Sequence, residues 1–437
     1  MTESPIRGSL WYHPCRCFRL SELIVASVLV ACQISVSTAP GLSPRQSRSS
    51  TASDFSTLSA AADSARAADR LDEAVRLYRK ALAMQPNWKE GWWALGTILY
   101  DQDSHAAAAR AFGRLLVLDP TNGTAHLMLA LCEYQSDRDA SAMEHIQAAR
   151  KLGVQTDGEL PHVLAYHEAM LLLRGGRYDR SLEVLQSLVA AGVDDENLDL
   201  ALGMGVLLMR PTDAPTEGSA SRQIVLRAGR AERQHMAKAF DAARLAYSAL
   251  VQEVPTFPNV HYAYGRFLLG TEDLEHGVAE FLEEIKNSPD HVRARMLIAA
   301  ARYRVDSPAG VPFALQVVKL QPRYPFGHYL LGLLYFDAGD IGRATPELEA
   351  AARMVPQEAQ FQFALGNAYA RAGRKEDAAR ARAAFVRLQK NGSTPGPGPN
   401  DKLRRLDLDD AGGPRSQEQK SKRPRSSPKS QGPGASI

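Results

Sequence analysis

Apolar residues along the chain recur at helical spacing, and this pattern itself repeats with a period of about 34 residues. The clearest marks are prolines: Pro86 and Pro120 are one period apart, as are Pro255 and Pro289, and Pro322 and Pro356. A ladder of small residues keeps the same step at Ala74, Ala108 and Ala142. A fixed period of this length predicts an array of stacked supersecondary units rather than one closed core.

Each unit is predicted to be a pair of antiparallel helices. A small residue at the crossing, such as Gly96 or Gly332 on the first helix, allows the two backbones to approach closely. Larger residues beside the crossing should form the core between neighbouring pairs, and the proline should end the second helix. The expected core residues are Trp92, Leu95, Phe112, Leu331, Tyr335 and Leu365.

These residues resemble the tetratricopeptide repeat, a 34-residue unit of two helices. The resemblance covers about residues 55–390. It implies an all-α fold, a right-handed α-solenoid superhelix of helix-turn-helix repeats with a concave groove. We predict an N-terminal array at 55–209, an interrupting loop at 210–222 rich in turn residues, and a C-terminal array at 223–390.

In this family the first helix of each repeat lines the groove, and its fifth and twelfth positions point inward. Aromatic residues dominate these positions, and such rings are common anchors for peptides. Packing of each ring against the adjacent helix, within the wall of the groove, is an equally open interpretation. Arg266, Arg304 and Arg371 add positive charge, so an acidic or extended segment is a reasonable guest. The predicted partner-binding groove comprises Trp93, Tyr100, Tyr134, Tyr262, Arg266, Tyr303, Arg304, Tyr329, Phe336, Phe363, Asn367 and Arg371.

Two further expectations follow from this reading of the groove. Relatives that bind a terminal carboxylate carry lysine at the fifth position and asparagine at the ninth. Here the fifth positions hold no lysine, and Asn367 alone occupies a ninth position, which argues against such a clamp. We also expect replacement of Tyr329 and Phe336 by alanine to weaken partner capture while leaving the helical melt nearly intact.

The N-terminal segment, 1–32, resembles an export signal. Three arginines precede an apolar run at 23–32, which is shorter than the roughly 20 residues that span a bilayer. The segment Leu29-Val-Ala-Cys32 resembles a bacterial lipobox, which implies acylation of Cys32 and membrane attachment through residues 33–54 as a flexible tether. Plain cleavage, a retained signal anchor, and a cytoplasmic protein with a misjudged start remain open.

Composition and motifs narrow the function. The chain of 437 residues has 45% hydrophobic and 23% charged residues and a net charge of +3. Positive and negative charges are too nearly balanced for a protein whose main role is to neutralise phosphates. No motif for a hydrolase nucleophile, a zinc protease or a nucleotide site is present, and no long block outside the repeats remains for a catalytic domain. Cys132 should be a buried apolar residue, and His162 and His167 ordinary surface histidines. We predict no enzyme activity, no cofactor and no metal.

The final segment, 391–437, changes in composition to a basic tail rich in proline, glycine and serine, which predicts disorder. It contains no aromatic residue to stack on bases, so nucleic acid is not the partner we expect. Together these features predict a scaffold that binds a protein or peptide partner in the groove, exported and periplasmic or lipid-anchored in a bacterial envelope. The alternatives are a recruitment subunit of a separate enzyme and a cytoplasmic adaptor whose basic tail contacts nucleic acid.

Overall fold

The structure is a computed structural model that describes residues 46–154 and 158–390, with side chains from residue 54 onward. Over these residues it contains nineteen α-helices and one short 3-10 helix, and no strand. The all-α prediction is therefore confirmed. The chain divides into two compact units, one ending at Leu250 and the other beginning at Val251.

Unit 1 is built from helices that pack as consecutive pairs. Each pair contacts the next, so the unit is a stack in which neighbours in sequence are neighbours in space. Its helices are α1 (Gln46–Ala67), α2 (Leu71–Met84), α3 (Lys89–Asp101), α4 (His105–Leu118), α5 (Gly123–Tyr134), α6 (Asp139–Leu152), α7 (Leu160–Arg174), α8 (Tyr178–Ala190), α9 (Glu196–Val206) and α10 (Ala220–Met236). The division between the units falls within α11 (Phe240–Glu253).

Unit 2 repeats the same arrangement with four complete pairs. Its helices are α12 (Val260–Gly270), α13 (Leu274–Asn287), α14 (Val292–Arg302), α15 (Ser307–Leu320), α16 (Pro325–Asp337), α17 (Ile341–Met354), α18 (Ala359–Arg371) and α19 (Lys375–Lys390). The first helices α14, α16 and α18 also contact one another in order. A continuous hydrophobic cluster runs from Val292 in α14 to Ala381 in α19.

The recurring prolines end the second helices as predicted. Helix α2 ends at Met84, two residues before Pro86, and α17 ends at Met354, two residues before Pro356. The residue before each proline has left the helical region, with φ −129° and ψ 84° at Gln85. Proline excludes the helical conformation from its predecessor, so the same residue type stops each repeat at the same place.

The small residues lie at the helix crossings, as the sequence predicts. A Cβ atom added at Gly96 would lie 2.7 Å from the Phe112 ring, and one added at Gly332 would lie 2.6 Å from Leu348 Cγ. The sequence did not single out a third crossing, where a Cβ atom at Gly265 would lie 2.6 Å from the Phe281 ring. The helices approach so closely only because glycine has no side chain.

A ladder of polar side chains links successive repeats, which the sequence analysis did not predict. The fourth residue of a first helix reaches back to the carbonyl oxygen of the proline that ends the preceding repeat, which satisfies an acceptor at a helix end. Trp92, expected in the core, is only half-buried for this reason. The pairs are Trp92 Nε1 to Pro86 (2.8 Å), His126 Nε2 to Pro120 (3.2 Å), Arg295 to Pro289, His328 Nε2 to Pro322 (3.1 Å) and Gln362 Nε2 to Pro356 (3.4 Å).

The loop that the sequence placed between two arrays lies inside unit 1. Helices α9 and α10 on either side of it pack directly together, since a Cβ atom at Gly229 would lie only 1.7 Å from Asp199 O. The buried Asp199 carboxylate accepts hydrogen bonds from Arg230 (3.1 Å) and Arg233 (2.7 Å). This contact holds the two helices in one compact unit, and α10 begins at Ala220, within the predicted loop.

The N-terminal expectations are only partly within the described residues. Helix α1 begins at Gln46, so the last residues of the predicted tether, 46–54, are helical rather than flexible. Adding residues to an existing helix costs little once the first turn is formed, which explains this extension. The predicted signal, Cys32 and the tail 391–437 lie outside the described residues. No helix in the described part of the chain combines the length and hydrophobicity needed to cross a bilayer.

Candidate functional site

The predicted groove residues of unit 1 lie on α3 and α5. Trp93 and Tyr100 are half-buried, with ring centroids 5.6 Å from Phe112 and 5.3 Å from His105 respectively. They therefore expose part of each ring. Their role in binding stays a prediction.

Tyr134 is enclosed rather than open. The guanidinium carbon of Arg174 lies 3.7 Å from the centroid of its ring, and the His167 ring packs edge-on at 5.3 Å. Arg174 is fixed there because it donates to Tyr134 O (3.1 Å) and pairs with Asp139 (2.8 Å). The contact joins α5 and α6 to α7. Tyr134 therefore packs within the repeat wall in this structure.

Three of the predicted groove aromatics in unit 2 are likewise buried in the wall. The Tyr262 ring lies 4.9 Å from the His291 ring, and the Tyr329 ring lies 4.8 Å from the Phe361 ring of the next repeat. Tyr303 is buried beside them. Burial raises the pKa of the Tyr329 hydroxyl, with Tyr303 contributing a further rise. The covering residue comes from the next repeat in two cases: Phe361 of α18 packs on Tyr329, and His291, the residue before α14, packs on Tyr262.

This burial revises the mutational expectation for Tyr329. Replacing a buried core ring by alanine leaves a cavity, so Tyr329→Ala should destabilise unit 2 rather than leave its helical melt intact. Phe336 is different because it is only half-buried. The two residues are thus not equivalent probes of one groove.

The more accessible predicted residues of unit 2 lie near the C-terminal ends of α14, α16 and α18. We name Arg304, Phe336, Asn367 and Arg371 the arginine strip. The guanidinium carbon of Arg371 lies 5.1 Å from the Phe336 ring centroid, which joins α18 to α16. Arg304 is joined to α16 through Ser307, whose hydroxyl accepts from Arg304 N (3.1 Å) and donates to Asp337 (2.6 Å). These contacts connect the C-terminal ends of the three first helices, with Arg304 joined through its backbone.

The two arginines of the strip differ from neighbouring arginines in whether they form ion pairs. Arg302 forms a bidentate pair with Glu275 (2.7 and 3.0 Å), and Arg374 pairs with Glu349 (2.9 Å). Arg304 and Arg371 are exposed and form no ion pair within the described residues. Their guanidinium groups instead lie over the rings of Tyr303 (5.4 Å) and Phe336. Both retain donors for an anionic guest.

Helix α12 has a similar contact between an arginine and an aromatic ring. Arg266 is half-buried, and its guanidinium carbon lies 6.0 Å from the Tyr262 ring centroid. Phe363 is exposed, but its ring packs 5.2 Å from Phe385 of α19. Phe363 therefore belongs to the packing of the last described helix pair, α18 and α19, rather than to the arginine strip.

The cysteine and histidine side chains considered as reactive groups or metal ligands lie in ordinary packing environments. Cys132 is buried, and burial raises the pKa of its thiol to about 12, so the reactive thiolate is disfavoured at neutral pH. His167 is not the surface histidine that the sequence suggested. It is half-buried, and burial lowers the pKa of its imidazole to about 4. Within the described ranges, no group of three or more metal-ligating side chains could hold a metal ion.

Stacked pairs of helices, with polar and aromatic side chains on the first helix of each pair, define the chain as a helical-repeat protein. A family profile described as tetratricopeptide repeat matches residues 59–122, 94–153 and 329–393. These segments are tetratricopeptide repeats, which confirms the sequence resemblance for the start of unit 1 and the end of unit 2. No curated protein matches the chain.

Solved structures of MamA are among those similar to this chain. The MamA RS-1 ArsTM double mutant is 20% identical, with 40% of this chain and 98% of that chain covered and a TM-score of 0.38. MamA 41-end from Desulfovibrio magneticus RS-1 is 20% identical, with 39% and 98% covered and a TM-score of 0.37. A further MamA crystal structure is 16% identical, with 37% and 96% covered and a TM-score of 0.36.

Proposed function

We propose that this chain is a protein-interaction scaffold without catalytic activity of its own, and that the arginine strip of unit 2 binds an extended acidic segment of a partner protein. The observation that carries the proposal is the state of Arg304 and Arg371. Both are exposed, and Arg371 lies in a segment that the tetratricopeptide-repeat profile matches, yet neither is neutralised by a carboxylate in the described residues.

The chemistry of the strip suits carboxylates on an extended chain. A guanidinium group presents its donors in a planar fork that matches the two oxygens of a carboxylate. The ring of Phe336 lies against the guanidinium of Arg371 and limits its motion, so less side-chain entropy is lost on binding. Asn367, one turn before Arg371 on α18, supplies an amide for the backbone of the guest.

The test uses the full chain and a fluorescein-labelled peptide of ten glutamates as the probe. Arg304→Ala with Arg371→Ala should weaken binding by about 1 to 2 kcal/mol, or about 5- to 30-fold in Kd, measured by fluorescence anisotropy. The matched control is Arg353→Ala, an exposed arginine on the second helix α17. Equal affinities of the double variant and the parent, or an equal loss in the control, would overturn the proposal.

We also propose that the chain is exported and attached to a bacterial membrane by acylation of Cys32. The support is the sequence pattern of an apolar run that ends in Leu29-Val-Ala-Cys32. The test is fractionation and intact mass of the full-length protein from a bacterial host, with Cys32→Ser as the variant. A membrane-bound chain that begins at an acylated Cys32 is expected, and the variant should lose it. A soluble, uncut chain that begins at Met1 would favour the cytoplasmic alternative.

A further inference from the structure

Two neighbouring second helices of unit 1, α2 and α4, carry a concentration of exposed positive charge. Both helices pack against α3, which lies between them in sequence. Arg76 and Arg110 are 34 residues apart, one repeat period, as are Lys80 and Arg114. Equivalent positions of stacked repeats face the same way, so these side chains lie on one side of the unit. We name the exposed surface the basic face; it comprises Arg76, Arg79, Lys80, Arg110 and Arg114.

The charge of the basic face is not compensated within the described residues, where none of its side chains forms an ion pair. Helix α4 contains no acidic residue. The two acidic residues of α2 have other partners, since Glu73 pairs with Arg70 (2.7 Å) and Asp72 accepts a hydrogen bond from Gln102 (3.0 Å). The basic face therefore retains its charge and its hydrogen-bond donors for a partner.

The repeat itself does not require this charge. Elsewhere, the two positions that are basic in both α2 and α4 hold Glu144 and Ala148 on α6, Ala279 and Glu283 on α13, Pro346 and Ala350 on α17, and Arg380 and Ala384 on α19. The one basic side chain among these residues, Arg380, pairs with Asp377. Two uncompensated basic residues on one helix therefore distinguish α2 and α4 from these four helices.

Exposed apolar side chains continue the basic face toward the C-terminal ends of the two helices. Val117 is 72% exposed and lies three residues after Arg114, while Met84 is 38% exposed and lies four residues after Lys80. Residues three or four apart share one helical face. Basic and apolar side chains on one exposed face are typical of helices that lie on a membrane, because the cations meet anionic headgroups while the apolar groups enter the layer beneath. Nucleic acid offers phosphates but no such apolar layer.

We propose that the basic face binds the anionic surface of a lipid bilayer. Helices α2 and α4 belong to the first two described helix pairs, the pairs nearest in sequence to Cys32. An acylated Cys32 would hold these helices near a bilayer at a high effective concentration, and this supporting argument rests on the proposed function. The charge and the apolar residues of the basic face support lipid binding without the acyl chain.

The experiment is sedimentation of the full chain with lipid vesicles, with Cys32→Ser in every protein so that acylation makes no contribution. The vesicles contain phosphatidylcholine, either alone or with about 30% phosphatidylglycerol. Binding to the neutral vesicles measures the contribution of the N-terminal apolar run. The variant carries Arg76→Gln, Lys80→Gln, Arg110→Gln and Arg114→Gln, which keep good helix formers at exposed positions. Its affinity for the anionic vesicles should fall at least about tenfold, because each cation at an anionic surface contributes about a factor of five.

The matched control removes the same charge from exposed second-helix positions of unit 2, with Lys319→Gln, Arg353→Gln, Arg382→Gln and Arg387→Gln. It should bind the anionic vesicles within about twofold of the parent, since these cations lie outside the basic face. Val117→Ser, which leaves every charge in place, should weaken this binding about fivefold.

Equal affinities of the four-residue variant and the parent for the anionic vesicles would overturn the proposal, as would an equal loss in the control. Tighter binding to a DNA duplex than to the anionic vesicles, lost in the same variant, would also overturn it, because the partner is then nucleic acid. The arginine strip is unchanged in the variant, which should bind the glutamate peptide as the parent does. Acylation is absent from every protein compared. This proposal and the proposed function can therefore fail independently.

Discussion

The variants Tyr329→Ala and Phe336→Ala should distinguish a residue that packs between repeats from a residue on the binding surface of unit 2. Both are aromatic residues of α16 at positions that the repeat pattern assigns to the groove. Tyr329 is almost fully buried, and its ring packs 4.8 Å from the buried Phe361 ring. Removing such a ring costs about 3 to 5 kcal/mol, because the transfer free energy is lost and a cavity remains.

Phe336 should behave in the opposite way. Its ring is only half-buried, and its alanine variant loses about 1 kcal/mol of burial and about 0.5 to 1 kcal/mol of contact with Arg371. The expected difference between the two variants is therefore about 2 kcal/mol in the local stability of α16 and α18. Binding of the acidic probe should fall in Phe336→Ala although its fold is nearly intact.

The assay is hydrogen exchange of α16 and α18 across a urea series in the full chain, which reports local rather than global unfolding. Tyr329→Phe is the control, since it keeps the ring and should cost less than about 1 kcal/mol. The reasoning fails if Tyr329→Ala costs no more than Phe336→Ala. In that case the ring of Tyr329 is accessible, and Tyr329 is again a candidate for contact with a partner in the groove.

Two further predictions concern the packing of unit 2. A hydrogen bond to Glu347 (2.6 Å) raises the pKa of His328, so this contact should stabilise the fold below about pH 6.5 and lose its contribution as the pH rises through the higher folded pKa. Melts of the full chain from pH 6 to 8 should show this loss, of about 1 kcal/mol, and Glu347→Gln should flatten it; an unchanged slope contradicts the assignment. Gly332→Ala should cost about 1 to 3 kcal/mol, because the new Cβ meets Leu348 at 2.6 Å. Gly342→Ala, whose Cβ has only Asp340 Oδ1 at 3.7 Å, should instead stabilise α17 by about 0.5 to 1 kcal/mol, and chemical denaturation that ranks the two variants in the reverse order would contradict the crossing geometry.

All four residues of the arginine strip are among the groove residues that the sequence predicted, but the sequence did not indicate which of the predicted residues are accessible. The fifth and twelfth positions correctly pick out residues of the first helices, including Phe336 and Tyr329. They do not say which rings the next repeat covers, because burial depends on contacts between helices of different repeats. Within the described residues, Arg304 and Arg371 form no ion pair for the same reason, since nearby Arg302 pairs with Glu275 of another repeat.

The sequence by itself determined the helices, their pairing and where most of them stop. These features depend on local chemistry: proline excludes the helical conformation from its predecessor, and glycine allows close crossings wherever it occurs. Only the tertiary structure decided the ladder from the fourth position to the preceding proline carbonyl, the packing of α9 on α10 across a long loop, and the exposure of Phe363 in the last described helix pair. Each of these depends on which surfaces the stacked helices cover, and such coverage is a property of the packed array rather than of any one repeat.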